Sequence, residues 1–280
     1  MVLTWPVVLA VLFGALLHAS WNAMVKSSTD KSLDTALINL LASFIAIPMV
    51  WWFGWPPVQV WPFIAASIVI HIGYYVALSG AYRHGDLGLT YPLMRGSAPL
   101  LVALSASVTL GETLTPMAWL GVLGICAGVL TLGLSKHAFD APRAVQFALV
   151  NAVIIASYTV VDALGVRATG SAMQYVATLF LLDGWPFALI VFARRNWTVG
   201  PYIHKRWPIG LGGALASIGS YGIALWAMTQ APVATVAALR ETSVLFAALL
   251  GIWFLREVLT TRRIVGTCVI VSGVMALRLG

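Results

Sequence analysis

What this sequence has least of is charge: Asp, Glu, Lys and Arg make up only 9% of its 280 residues, while 60% are hydrophobic. A soluble domain covers its surface with about a quarter charged residues, so water is excluded as the main solvent of the folded chain. Cysteine is scarce as well. Cys126 and Cys268 both fall inside apolar stretches, which excludes a disulfide framework and a cysteine metal site and leaves two small buried hydrophobes. The motifs of intramembrane or ATP-driven chemistry are also missing: no His-Glu-x-x-His helix, no Gly-x-Ser-x-Gly elbow, no Gly-x-x-x-x-Gly-Lys loop and no close carboxylate pair inside an apolar run. An enzyme is therefore disfavoured. The net charge of +7 is scattered over loops with no aromatic-basic stripe, so anionic lipid is the expected partner and nucleic acid is not.

What is present is a series of apolar runs of about 20 residues, the length at which a helix rising 1.5 Å per residue crosses a bilayer core. The first, Trp5 to Met24, has no basic residue before it and reads as a retained span instead of a signal peptide. Breaks at Pro, Gly and charge clusters predict ten spans, near 5–25, 33–53, 59–81, 87–109, 116–135, 144–165, 172–193, 208–229, 233–254 and 261–279. The expected fold is an all-α membrane protein. Of the 16 Lys and Arg, twelve fall in the loops after spans 1, 3, 5, 7 and 9, two on the opposite side, and Arg95 and Arg240 inside spans. The positive-inside rule then puts those five loops in the cytoplasm and both termini outside, across a bacterial inner membrane.

The second half repeats the first. At an offset of 145, Thr90 to Leu134 matches Thr235 to Leu279 at 15 of 45 positions, including Arg95 with Arg240, Glu112 with Glu257, Thr115 with Thr260, Gly121 with Gly266 and Gly128 with Gly273. Apolar composition alone does not align a rare Arg, a rare Glu and two glycines. A weaker match at offset 137 pairs Ala19-Ser20-Trp21-Asn22 with Ala156-Ser157-Tyr158-Thr159. The division falls at 1–137 and 138–280, five spans each. Five is odd, so the second repeat enters the membrane from the opposite side, and an inverted repeat of this kind points to a transporter with its substrate site near the midplane.

The segment Leu110-Gly111-Glu112-Thr113-Leu114-Thr115 followed by Gly121 and Gly128, with its echo Leu255-Arg256-Glu257-Val258-Leu259-Thr260, Gly266 and Gly273, resembles the drug/metabolite transporter superfamily. It is similar in particular to the ten-helix EamA-type bacterial exporters. The resemblance implies ten transmembrane helices as two inverted five-helix repeats, export of amino acids or other small metabolites, a monomer, and no cofactor. Drug, organic-cation or nucleoside efflux is the alternative. In the small multidrug members of that superfamily a first-helix Glu exchanges protons, whereas span 1 here has no acid and only His18 as a titratable group.

Intramembrane polar groups are costly and mark pathways, although some only bond a neighbouring helix. Candidate wall residues are His18, Trp21 and Asn22 on span 1; His71, Tyr74 and Tyr75, with Leu78 and Tyr82, on span 3; Tyr91 and Arg95 on span 4; Tyr158, with Asn151 and Asp162, on span 6; Tyr221 and Trp226, with two serines, on span 8; and Arg240 on span 9. Tyr82 and Asp162 rank last because they lie near predicted helix ends. Each Arg sits roughly 12 Å along its helix, too deep to snorkel, and is expected either to pair with Glu241, Asp183 or a C-terminal helix carbonyl or to meet a substrate carboxylate. Asp183 and Glu241 are also the candidate proton sites. Pro92 and Pro99 are candidate gating residues, and neither has a counterpart in span 9. Glu112 and Glu257 precede helix starts and are read as dipole partners for them, not as ligands. The glycines of spans 5 and 10 are read as close-packing surfaces.

Overall fold

In the computed structural model of the chain, residues 3–84, 87–133, 141–255 and 260–280 are described, with side chains except at 79, 82, 87–89 and 251–255. Glu257 and the side chain of Tyr82 lie outside this set. The helices are α1 Trp5–Lys26, α2 Lys31–Phe53, α3 Trp61–His84, α4 Leu87–Thr109, α5 Pro116–Gly133, α6 Pro142–Thr169, α7 Ala172–Ala193, α8 Gly200–Gln230, α9 Val233–Arg240, α10 Ser243–Leu255 and α11 Thr261–Leu279. The protein is an all-α membrane protein of ten spans, arranged as two inverted five-helix repeats, with α9 and α10 as the two pieces of span 9.

Local chemistry sets several of these limits. Asp30 accepts from Leu33 N at 3.1 Å and opens α2, the Thr115 hydroxyl accepts from Ala118 N at 3.0 Å ahead of α5, and Thr260 caps α11 through Arg263 N. Two spans run past their expected ends. The segment from Gly200 to Trp207 was expected as loop because of its Lys and Arg, but Pro201 near the start presets the first turn and α8 begins at Gly200. Likewise α6 continues to Thr169 before Gly170 ends it at φ +72°. Asp162 consequently lies inside a helix and not near its end.

Neighbours in space do not follow the repeats. Helices α3, α4 and α6 pack together as one wall, and α1, α8, α9 and α10 as the other, while α2 pairs with α7 and α5 with α11. Under the repeat α1 corresponds to α6, α3 to α8 and α4 to α9–α10, so each wall holds the repeat mates of the other. The outside is apolar: Leu9, Trp51, Trp52, Val108 and Leu120 are each more than half exposed, as lipid contact requires.

Lipid tails are as apolar as leucine, so burial alone does not hold these helices together; close packing does. The α5–α11 pair shows this most clearly. A Cβ on Gly121 would stand 2.8 Å from Gly273 O, one on Gly128 2.9 Å from Gly266 O, and one on Gly273 2.9 Å from Gly121 O. The glycines of the two repeats face each other there, as the sequence suggested.

Candidate functional site

Between the two walls the spans bring most of the expected polar residues into one cluster. From the α3–α6 wall, the His71 ring stacks on Tyr158 at 4.4 Å, and Tyr74 meets Tyr158 edge-on at 6.2 Å. Tyr75 stacks on Phe187 of α7 at 4.6 Å, and its hydroxyl accepts from Asn39 Nδ2 of α2 at 3.2 Å. From the opposite wall, His18 meets Trp21 edge-on at 5.4 Å and lies within the electrostatic reach of both Arg95 and Arg240. His18, Trp21, Tyr74, Tyr75, Tyr91, Tyr221 and Arg240 stay partly accessible although they stand inside spans.

The two arginines of the repeat have different surroundings. Arg95, 8% exposed, forms an ion pair with Glu241, Nε to Oε2 at 2.8 Å. That contact joins α4 to the break between α9 and α10. Arg240 has no ion-pair partner among the described residues; its guanidinium lies over the Tyr221 ring, 5.2 Å from the centroid. Tyr221 in turn donates its hydroxyl to Asp162 of α6, which also accepts from Tyr175 of α7 at 2.7 Å.

The break in span 9 is built from short-range bonds. Glu241 N donates to Ala238 O at 3.0 Å, Thr242 N to Leu239 O at 3.1 Å and the Thr242 hydroxyl to Leu239 O at 2.7 Å. Three-residue turns of this kind replace the α pattern for one step and point the Glu241 side chain at Arg95. Pro92 and Pro99, the expected gating residues, lie in α4, which runs as one helix from Leu87 to Thr109.

Four more of the residues singled out in the sequence have contacts of their own. Trp226 is 36% exposed, and none of the ring contacts within the cluster involves it. Asn22 gives its amide to His18 O at 2.7 Å, within its own helix, and Asn151 gives its amide to Met94 Sδ at 2.9 Å. Glu112 does serve a helix start, but that of α9 and not of α5. Its Oε2 accepts from Val233 N at 2.8 Å while Oε1 accepts from Arg167 Nη2 at 2.6 Å. Arg167 also donates to Met228 O at 2.8 Å and to Ala231 O at 3.3 Å. A clamp thus ties the ends of α4 and α6 to the α8–α9 turn. Sequence reasoning missed Arg167, whose only signal was its isolation on the loop side with little basic charge.

At the other end of the bundle, Asp34 of α2, 3% exposed, accepts from Arg206 and Tyr202 of α8, the latter at 2.7 Å. Arg195 meets Asp30 at 2.5 Å. Arg206, counted as a loop charge in the sequence, therefore has a structural task.

A membrane-embedded helical bundle with two inverted repeats around a polar centre defines a transporter of small molecules. The model of the EamA-like transporter family matches residues 5–134 and 142–279, nearly the whole chain in two consecutive copies, and the protein belongs to that family. Its members are membrane transporters and not enzymes. Among solved structures, one titled "Crystal structure of protein" is similar with a TM-score of 0.77 and 19% identity over 98% of this chain and 95% of that one, which supports the fold alone. No curated protein matches.

Proposed function

We propose that the protein exports small zwitterionic or neutral metabolites, amino acids foremost, by alternating access between the α3–α4–α6 and α1–α8–α9–α10 walls. One observation carries the substrate class: Arg95 forms an ion pair with Glu241, whereas Arg240 forms no ion pair among the described residues and lies over the Tyr221 ring. A cation inside a span without an ion-pair partner is costly, and a substrate carboxylate supplies the opposite charge through a bidentate contact. The rings of Trp21, Tyr74, Tyr75 and Tyr158 offer apolar contact to the rest of the molecule. The pathway is then lined by α1, α3, α4, α6, α8 and α9, while α5 and α11 act as packing supports.

The test is uptake into proteoliposomes of a labelled neutral amino acid, competed by a panel of amino acids, their decarboxylated amines, nucleosides and organic cations. Amino acids compete, and the amines compete at least tenfold less well, because one charge-assisted contact to an Arg inside a span is worth about 1.5–3 kcal/mol. Equal competition by the amines removes the Arg240 anchor. Strong transport of nucleosides or organic cations with no effect of any amino acid overturns the substrate class. Trp21→Ala or Tyr75→Ala lowers transport with the fold retained, whereas Gly128→Leu lowers the melting temperature first, since its side chain must enter α11 backbone.

The same proposal places the chain as a monomer in a bacterial inner membrane with both termini outside and the turn after α7 in the cytoplasm, on the twelve-to-two distribution of Lys and Arg. A cysteine at exposed Thr198, in a chain with Cys268→Ser, is expected to resist an impermeant thiol label in intact cells. Labelling there reverses the orientation.

A further inference from the structure

Asp162 is the acidic side chain of α6, it takes no part in the function proposed above, and its setting is unusual. It is 0% exposed, lies seven residues from the end of α6, and has no ion-pair partner among the described residues. Tyr175 and Tyr221 donate their hydroxyls to its two oxygens. The groups that face it are His71 and Ser67 from α3, Tyr175 and Asp183 from α7, Tyr221 from α8 and Tyr158 one turn back on α6. Arg240 from α9 reaches Tyr221 from the ring face, and Arg95 from α4 is already held by Glu241. The hydroxyls satisfy the oxygens as hydrogen-bond acceptors but do not cancel a charge. An isolated carboxylate in a membrane interior is neutralised by a proton or by a cationic group.

Tyr221 is what separates this carboxyl group from the Arg240 cation: its hydroxyl touches Asp162 and its ring carries the guanidinium. It is also the residue by which the α8 wall touches the α6 wall at this point. A cation and a carboxyl group on two sides of one partly accessible tyrosine match the two charged ends of an α-amino acid. We propose that Asp162 is the ammonium site of the pathway, that it carries a proton when no substrate is bound, and that Arg240 holds the carboxylate on the other side of Tyr221. The proposal rests on the amino-acid reading above and adds a coupling to it.

The exchange balances without any redox step. When an amino acid enters from the cytoplasm, Tyr221 turns aside, the carboxyl O–H bond of Asp162 breaks, and its proton leaves to cytoplasmic water. The substrate ammonium replaces it as the counter-ion. On the outer side the amino acid leaves, and a proton from the outer solution restores the neutral carboxyl and the Tyr221 contact. One proton enters for each amino acid exported, so the proton gradient drives efflux.

Two measurements on the full chain decide this. Difference infrared spectroscopy of the reconstituted protein, with no substrate, should show a protonated-carboxyl band that titrates with pH, vanishes in Asp162→Asn and persists in Asp183→Asn. A band that persists in Asp162→Asn, or that never forms, overturns the proposal whatever the substrate is. In weakly buffered detergent, added phenylalanine should release about one proton per molecule bound, read by a pH dye, as linkage at a single site requires; Asp162→Asn should release none. Phenylalanine that binds by thermal shift with no proton release overturns the proposal and leaves the amino-acid reading standing. Failure of every amino acid to bind overturns both. Asp162→Glu, which keeps the titratable group, should retain the release and so separates a lost proton site from a lost fold.

Discussion

Helix α4 and the α9–α10 pair occupy the same position in the two repeats and carry the same arginine, yet they have opposite build. The span with two internal prolines is continuous, and the span with none is broken. Proline removes a backbone donor and crowds the preceding turn, but α4 is packed against both α5 and α6 and keeps its helical path. In span 9 the break follows from Glu241, which leaves the helix line to meet Arg95, and from the Thr242 hydroxyl on Leu239 O. Duplicate residues thus come to hold different tasks. Arg95 fastens the break across the two walls, whereas Arg240 forms no ion pair among the described residues and lies over the Tyr221 ring.

The sharpest way to break this comparison is Glu241→Ala. It strands Arg95 in a site 8% exposed, and losing one partner of a buried pair costs about 3–5 kcal/mol. The expected result is a large fall in melting temperature in detergent that accompanies any loss of transport. A variant that melts normally would mean that Arg95 also has no structural need of Glu241. Arg240→Gln comes next: melting within about 1 kcal/mol of the parent, but at least tenfold weaker binding of carboxylate substrates. If Arg95→Gln and Arg240→Gln behave alike in both assays, the two arginines are equivalent after all.

The smallest effect is expected from Pro92→Ala and Pro99→Ala. Because α4 is already helical through both positions, alanine adds a backbone donor without reshaping the helix, and melting should hold or rise by about 1 kcal/mol. Transport that collapses while melting holds would restore α4 as the gate.

Most of the architecture was legible because the membrane imposes a length and a composition on each span, and because rare residues such as Arg95, Glu112 and Gly128 mark the repeat unambiguously. The polar cluster was legible in its members and less so in its pairings. His71 and Tyr158 are each recognisable as wall residues, but nothing in one sequence says that α3 lies on α6. Asp162 lies near a helix end in the sequence and not in the structure for a local reason: α6 continues four residues past position 165, which moves that carboxyl group inward. The break at Glu241 had no composition signal at all, since neither Gly nor Pro stands there; it depends on a partner 146 positions earlier in the chain.

Arg167 spans three chain segments with one side chain: the carboxylate after α4, the last carbonyls of α8 and, through Glu112, the first amide of α9. Bonds that share one guanidinium and one carboxylate do not yield in sequence, since losing the Arg167–Glu112 contact strips the support from the rest. Separation of the walls at this end is therefore a threshold event, with no stable half-open mouth, and its rate should climb steeply with temperature. A clamp of that kind keeps its end of the bundle shut until all of its bonds give way together.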